Sequence, residues 1–157
     1  MAVKVIVTGE SLPVLRAKAA KVSSFGKEFK KLVEDLRDTV THAKGAGLAA
    51  PQIDVSKAVC IAKIGEEFTV LANPRIFWKS DKTILGEEGC LSIPDIWLYV
   101  PRAVEIAVRY QDESGKEQER RLSDFDARVV QHEVDHLLGV LIVDYHGKGA
   151  KLPGEAL

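Results

Sequence analysis

The clearest hydrophobic pattern in the chain lies between Lys27 and Ala43. Apolar residues recur there at spacings of three and four, at Phe29, Leu32, Val33, Leu36 and Val40. This spacing places them on one face of an α-helix. The pattern stops close to Gly45 and Gly47, and glycine commonly follows a helix end. We therefore predict an amphipathic helix over Lys27–Ala43.

The middle of the chain is typical of β-structure. Strands are predicted at Ala58–Ile64, Phe68–Ala72, Arg75–Lys79, Ala103–Tyr110 and Glu117–Leu122. The sequence Asp112-Glu113-Ser114-Gly115 carries the residues of a hairpin turn and predicts the connection between the last two strands.

A second helical pattern follows these strands. Ser123 and Asp126 resemble a capping box with Asp in place of the usual Glu. We predict a helix from about Asp124 to Leu138 that ends at Gly139, and then a short strand at Val140–Asp144. Strands followed by a late helix, without regular βαβ alternation, favour an α+β fold. The expected architecture is mixed or antiparallel sheets packed around this central helix, with one N-terminal helix.

Composition narrows the class of protein. The chain has 157 residues, 46% of them hydrophobic, and no linker or internal repeat, so we predict one domain over residues 1–157. The 22 basic and 23 acidic residues leave a net charge of −1, which gives no electrostatic reason to expect nucleic acid or an anionic membrane as a partner. No segment reads as a membrane span, signal peptide or transit peptide. We expect a cytoplasmic protein, or an organellar one whose targeting segment has been removed.

The second predicted helix carries His132-Glu133-Val134-Asp135-His136. Histidines at i and i+4 lie one turn apart on the same helix face, so two imidazole nitrogens can converge on one metal ion. The intervening Glu133 can reach a water on that metal and exchange a proton with it. This pattern predicts a metal site, although two histidines also reach this spacing by chance.

The third ligand decides which kind of metal site this is. The position six residues after His136 is Ile142, so a third helix-linked histidine is absent. Glu155 is the only later glutamate, and it follows Pro153 and Gly154, which argue against a helix. Cys90 is the best upstream candidate, because a thiolate binds zinc or ferrous iron strongly and leaves a fourth position open.

The two cysteines have different settings. Cys60 lies in an apolar run and is interpreted as a core residue. Cys90 lies in Glu88-Gly89-Cys90-Leu91-Ser92, beside a glycine, where it is either a metal ligand or a buried free thiol.

Three segments together resemble the signature motifs of the peptide deformylase family, in that family's order. They are Gly45-Ala46-Gly47-Leu48-Ala49-Ala50-Pro51-Gln52, Glu88-Gly89-Cys90-Leu91-Ser92 and Gln131-His132-Glu133-Val134-Asp135-His136-Leu137. The similarity extends over most of the chain, and Pro94, Pro101 and Arg102 also fit members of the bacterial type. The resemblance implies an enzyme that removes the N-formyl group from formyl-methionine at the start of new polypeptides and releases formate.

The resemblance also implies a role for each motif residue. Cys90, His132 and His136 would bind one divalent metal, with Glu133 as general acid and base for the attack of metal-bound water or hydroxide. The Gln52 side-chain amide and the Leu91 N–H would stabilise the oxyanion. The remaining motif residues implied to bind the peptide are Gly45, Ala46, Gly47, Glu88 and Gly89.

Family resemblance further suggests ferrous iron as the physiological metal, with zinc, nickel or cobalt possible in preparations. The ligand set itself accepts all of these ions. The expected partners are formylated nascent peptides and, transiently, the ribosome, with no membrane and no direct recognition of nucleic acid.

Two departures from the family pattern affect these expectations. Trp97 stands where some members carry a basic residue, so contacts at the cleft rim are expected to differ. The tail after Tyr145 is short and contains Pro153 and Gly154, so the long C-terminal helix of many bacterial members is not expected. Docking on the ribosome would then be different or weaker.

Three other functions remain open at this level. A metallopeptidase would use Glu155 as third ligand. A structural metal domain would close the site with Ser92 or Asp135. An inactive homologue would lack part of the machinery, whereas Gln52, Cys90 and Glu133 are all present.

Overall fold

The computed structural model describes residues 2–145 of the chain. Three α-helices lie in this range: α1 (Pro13–Arg16), α2 (Lys27–Ala43) and α3 (Asp124–Leu137). The strands are β1 (Gly47–Ala49), β2 (Val59–Ile64), β3 (Glu67–Lys79), β4 (Thr83–Cys90), β5 (Ile93–Ala103), β6 (Glu105–Gln111) and β7 (Glu117–Ser123). Two short 3₁₀ helices lie at Ala50–Ile53, directly after β1, and at Ile142–Tyr145, after α3.

The strands form two separate antiparallel sheets. The larger sheet has the order β1-β2-β3-β6-β7, and β4 and β5 form a two-stranded hairpin. The predicted α+β fold with antiparallel sheets is confirmed, and α3 contains His132, Glu133 and His136.

The larger sheet lies between the two long helices. Val59 and Ile61 of β2 pack with the apolar face of α2, whereas Cys60 and Ala62 pack on the opposite side with α3. This division follows from the two-residue period of a strand, which sends successive side chains to opposite faces. A strand buried on both faces needs a continuous apolar run, and β2 has one.

The β4–β5 hairpin has its own small core. Cys90, Leu98 and Val100 pack there with Leu15 of α1 and with Ile142 of the second 3₁₀ helix. The end of β4 is thus held against the chain that follows α3, which brings Cys90 towards that helix.

Several predicted elements are confirmed. The helix α2 has the predicted bounds, and α3 ends within one residue of its prediction, with Gly139 following in a left-handed conformation. The turn at residues 112–115 is present, and the Asp112 carboxylate accepts hydrogen bonds from the backbone N–H of Ser114 and of Lys116. Gly115 supplies the positive φ that the turn requires.

Other predictions were wrong in detail. The two strands predicted at Phe68–Ala72 and Arg75–Lys79 are one strand, β3, with a register shift between Ala72 and Arg75. Ala103 ends β5, and β6 begins at Glu105. The predicted strand Val140–Asp144 is irregular at Val140 and Leu141 and then forms a 3₁₀ helix. The Asp144 carboxylate accepts the N–H of Leu141 and closes the chain locally.

The predicted capping box was also wrong. Ser123 occupies the N-cap position of α3 but makes no side-chain capping bond. Asp126 instead accepts a hydrogen bond from the N–H of Gly65, at 3.1 Å, in the turn between β2 and β3. The carboxylate therefore connects the helix to the sheet.

Within residues 2–145, no helix is long and apolar enough to cross a membrane. The described residues do not include Pro153, Gly154 or Glu155. The predictions about the C-terminal tail and the metallopeptidase alternative concern these three positions.

Gly139 allows the chain to leave α3, and its replacement by alanine tests this. Its φ is +78°, and an added Cβ would lie 2.3 Å from the Arg16 carbonyl oxygen. We expect Gly139→Ala to lower the free energy of unfolding in urea by about 3 kcal/mol, from left-handed strain plus the backbone clash. Gly65→Ala is the matched control, because its φ is +63° but no atom lies within 4 Å. Equal losses in the two variants would contradict the clash.

Candidate metal centre

Helix α3 and strand β4 bring three potential metal ligands together. His132 and His136 lie one turn apart on α3, and Cys90 is the last residue of β4. One ligand atom from each residue lies within 4.8 Å of those from the other two. The Cys90 Sγ to His136 Nε2 distance is 3.3 Å. Among the described residues, this is the group of histidine, cysteine and carboxylate side chains that could hold a metal ion.

Glu88 orients the first histidine. Its Oε1 lies 2.9 Å from His132 Nδ1, which leaves Nε2 of that ring for the ligand set. A carboxylate on the outer nitrogen of a ligand histidine fixes the ring and the tautomer and makes the inner nitrogen a better donor. Glu88 was predicted to bind substrate, and its side chain is engaged by His132 and two arginines.

A buried network continues from Glu88. Arg102 donates to both Glu88 oxygens, each at 2.9 Å, and to the Asp135 carboxylate at 2.6 Å. Tyr145 donates to the same Asp135 oxygen at 2.6 Å. Burial alone would raise the pKa of Glu88, but the hydrogen bonds from Arg102 and His132 hold it well below its usual range. Glu88 is therefore a carboxylate at neutral pH.

The charges of the pocket favour a cation. Burial would lower the pKa of His132, but the Glu133 carboxylate and the contacts with Cys90 and Glu88 outweigh it and raise the pKa to about 10. The same excess of negative charge that attracts a proton attracts a metal ion, which would displace the proton from the ligand nitrogen. Burial raises the pKa of Glu133 to about 7, against the opposing effect of His132. A bound cation would lower that value, because it favours the carboxylate.

Two buried side-chain atoms of residues 2–145 lack a hydrogen-bond partner, Glu133 Oε1 and His136 Nδ1. A carboxylate oxygen is costly to bury without a partner. Glu133 also lines the main cavity, so its carboxylate lies beside the space where a ligand would bind. A thiolate, two imidazoles and an adjacent unsatisfied carboxylate are the donor set of an open catalytic site, and these residues fit a divalent metal.

Gln52 lies against the ligand set. Its Oε1 accepts the N–H of Ala49 at 3.0 Å, which fixes the amide. Its Nε2 lies 3.1 Å from Ser92 Oγ and 3.9 Å from Cys90 Sγ. Leu91 directly follows Cys90 in the turn between β4 and β5. Both predicted oxyanion donors are thus adjacent to Cys90.

A cavity of about 470 Å³ opens onto this centre. All five predicted peptide-binding residues line it, and so do Gln52, Leu91, Glu133 and His132. Gly47 belongs to β1, which is an edge strand of the larger sheet, and an added Cβ there would lie 2.6 Å from Glu133 Oε2. The Ala46 carbonyl accepts the N–H of Lys63, which extends the pairing with β2.

The rim of the cavity is apolar. Trp97 is half exposed, and its ring lies where a Cβ on Gly89 would be, with Cζ3 at 2.7 Å. Ile96 and Phe125 are exposed beside the same cavity. The residue that departs from the family pattern therefore packs on the backbone of a predicted peptide-binding residue.

The structure brings every predicted site residue to one cavity or its ligand set, and it adds residues that were missed. Arg102 was included only as part of the family pattern, and Arg128 and Tyr145 were given no role in the active centre. Asp135 was considered as a closing ligand, but its carboxylate is held by Arg102 and Tyr145. Ser92 Oγ instead accepts a hydrogen bond from Gln52. Arg128 contacts Glu88, which lies 40 residues away in the sequence, so no local sequence pattern reveals this contact.

The fold and the centre define a metal-dependent hydrolase of the His-Glu-x-x-His type with a cysteine as its third candidate ligand. Residues 3–151 match the model of the polypeptide deformylase family. A peptide deformylase of Pseudothermotoga lettingae is 45% identical over 132 residues, covering 84% of this chain and 77% of that protein.

Solved structures agree with this relationship. The crystal structure of peptide deformylase from Thermotoga maritima has a TM-score of 0.88 at 39% identity and covers 92% of this chain and 97% of that one. A class I type b peptide deformylase from Acinetobacter baumannii, solved with Met-Ala-Ser bound, has a TM-score of 0.86 at 34% identity and covers 91% of this chain and 98% of that one. The chain belongs to the peptide deformylase family. It is therefore a metallohydrolase that removes the N-formyl group from nascent peptides.

Replacement of the cysteine tests the ligand set. We expect Cys90→Ser to weaken metal binding and to change the metal preference, because a poorly deprotonated hydroxyl replaces a soft thiolate. The measurement is metal content per chain after dialysis against a weak chelator. Cys60→Ala is the control, since Cys60 is fully buried in the core beside α3, and that variant should keep its metal. Unchanged metal content in Cys90→Ser would show that Cys90 is not a ligand.

Proposed function

We propose that the chain acts as a single catalytic domain over residues 1–157, in which Cys90, His132 and His136 hold one divalent cation and Glu133 moves the proton. The convergence of these three ligand atoms beside a buried, unsatisfied Glu133 oxygen carries this proposal. The cation would supply a Lewis acid that activates a water molecule and polarises the formyl carbonyl.

Glu133 is suited to exchange a proton with the reacting groups. Its carboxylate is held beside the backbone of Gly47, where only a glycine leaves room for it. Burial raises its pKa to about 7 before a cation binds, and a bound cation would lower that pKa, so Glu133 would be a carboxylate able to accept a proton. Glu133 would take a proton from the attacking water and return it to the departing peptide amine, leaving formate and a free N-terminus.

Gln52 and Leu91 are proposed to stabilise the negative charge that grows on the formyl oxygen. The Gln52 amide is fixed by Ala49 before substrate binds, so its orientation costs little during the reaction. The Leu91 donor is a backbone N–H in the tight turn directly after Cys90, so the fold itself fixes its position. Donors of this kind typically contribute about 3 kcal/mol each.

The Gly45–Gly47 segment and Gly89 are proposed to pair with the backbone of the peptide. β1 hydrogen-bonds to β2 on one side and is an edge of the larger sheet, so an extended peptide could be added there as a further strand. Glu88 would contribute through its backbone, since its carboxylate is engaged elsewhere. The apolar rim at Trp97 would favour apolar side chains in the following residues of the substrate.

We propose ferrous iron as the physiological metal, with zinc, nickel and cobalt as substitutes that the same donor set accepts. The enzyme would work in the cytoplasm and associate transiently with the ribosome, because its substrates are formylated chains in synthesis.

Formate release tests the reaction directly. Protein purified anaerobically with ferrous iron is expected to release formate from formyl-Met-Ala-Ser, and a chelator should abolish the release. Unformylated Met-Ala-Ser is the control and should stay intact, which separates deformylation from peptide cleavage. No release with iron, nickel, cobalt or zinc, from protein holding one metal per chain, would refute the assignment.

Glu133→Ala tests the proposed proton transfer. We expect this variant to retain its metal and to lose turnover by about 10²- to 10⁴-fold, because the metal ligands remain while the proton acceptor is gone. Glu66→Ala, at an exposed turn position, is the control. Near-normal turnover in Glu133→Ala would remove Glu133 from the mechanism.

A further inference from the structure

The metal ligands come from two parts of the fold that no shared hydrogen-bonded sheet connects. His132 and His136 belong to α3, whereas Cys90 and Glu88 belong to the β4–β5 hairpin. Within the described chain, the hairpin forms its own sheet and does not join the larger one. Ligand geometry must hold within about half an ångström, so the side chains that fix the hairpin to the helix matter for the site.

Arg128 makes such a connection. It precedes His132 by one helical turn, on the same face of α3. Its Nη1 donates to Glu88 Oε2 at 2.6 Å and to the Val100 carbonyl at 3.0 Å. Its Nη2 donates to the Ile84 carbonyl at 2.8 Å. One guanidinium therefore contacts both strands of the hairpin and the carboxylate that orients His132.

Gly86 makes room for this guanidinium. An added Cβ at Gly86 would lie 2.7 Å from Arg128 Cζ and within 3 Å of two of its nitrogens. Gly86 does not have a positive φ, so its backbone conformation does not require glycine. Glycine at position 86 is therefore explained by the close approach of Arg128 and not by the backbone conformation of β4.

The contacts of Glu88 are divided between its two oxygens. Oε1 meets His132 Nδ1 and Arg102 Nη2, and Oε2 meets Arg102 Nε and Arg128 Nη1. Without Arg128, Oε2 would lose its shorter hydrogen bond, and the hairpin would lose its donors to two carbonyls. Oε2 would then rely on its 2.9 Å bond from Arg102 Nε, so the Glu88 carboxylate and the His132 ring that it orients would be held less tightly.

We propose that Arg128 is a positioning residue that fixes the β4–β5 hairpin on α3 and thereby sets the geometry of Cys90 and His132 around the metal. Arg128 also lines the cavity, but its hydrogen bonds go to Glu88 and to the hairpin backbone, so we infer that it acts on the ligands through these groups. The inference rests on the ligand set of the proposed function.

The first test uses cobalt-substituted protein with Arg128→Met, Arg128→Lys and the control Arg120→Met, an exposed arginine on β7. Three quantities are measured: the rate of cobalt loss to a chelator, the thiolate-to-cobalt absorption band, and kcat and KM separately. We expect Arg128→Met to lose cobalt about tenfold faster, to shift the band, and to lower kcat more than it raises KM. Arg128→Lys should be intermediate, and Arg120→Met unchanged.

A second variant perturbs the same guanidinium without removing it. Gly86→Ala should accelerate cobalt loss in the wild-type background, because the methyl group displaces Arg128, and should add little in the Arg128→Met background. Gly26→Ala is the control, since its nearest atom to an added Cβ is 3.7 Å away. Even if Arg128→Met fails to fold, cobalt loss from Gly86→Ala that is no faster than from Gly26→Ala would overturn the proposal.

Unchanged cobalt loss and an unchanged band in folded Arg128→Met would overturn the proposal, as would full additivity of Gly86→Ala with Arg128→Met. Failure of deformylation would be recognised separately, because the release of cobalt and its spectrum do not depend on turnover of a formyl peptide.

Discussion

The active centre depends on the carboxylate of Glu88. It is buried, and it accepts hydrogen bonds from His132, from Arg102 at both oxygens and from Arg128. A buried charge is tolerated only when its lone pairs are satisfied and its charge is compensated. Two arginines meet both conditions, and the histidine is then held in the one orientation that presents Nε2 to the ligand set. The protein thus uses a buried, hydrogen-bonded ion pair to orient the His132 ring.

The same ion network determines which negatively charged side chains are left unpaired and available to a metal ion. Arg102 and Arg128 compensate Glu88 and Asp135, whose carboxylates they contact. Glu133 has no such partner, and the thiol of Cys90 becomes an anion when it binds a metal. The two negative charges left beside the ligand set match the charge of a divalent cation. Removal of either arginine would therefore change both the orientation of His132 and the charge balance of the centre.

The sequence predicts α2, α3 and four of the five strands of the larger sheet, because their signals are local, but it does not predict α1 or β1. The three- and four-residue spacing in α2 and the apolar run of β2 each report the burial of a face. The β4–β5 hairpin was not predicted, since Gly86, Gly89, Pro94 and Pro101 interrupt any strand pattern. Its conformation is set by contacts with α3 and α1, which are distant in sequence. The failed prediction at Ser123 and Asp126 has the same cause, because Asp126 is used by the turn at Gly65.

The glycines of the motifs show why the roles of site residues were easier to predict than their surroundings. The family resemblance implied that Gly47 and Gly89 bind the peptide. In the structure each also gives space to a side chain of the protein itself, Glu133 at Gly47 and Trp97 at Gly89, as Gly86 does for Arg128. Each of these glycines thus marks a position where another side chain packs closely, and no local sequence pattern identifies that side chain. Only the folded chain reveals that neighbour, and in two of the three cases it belongs to α3.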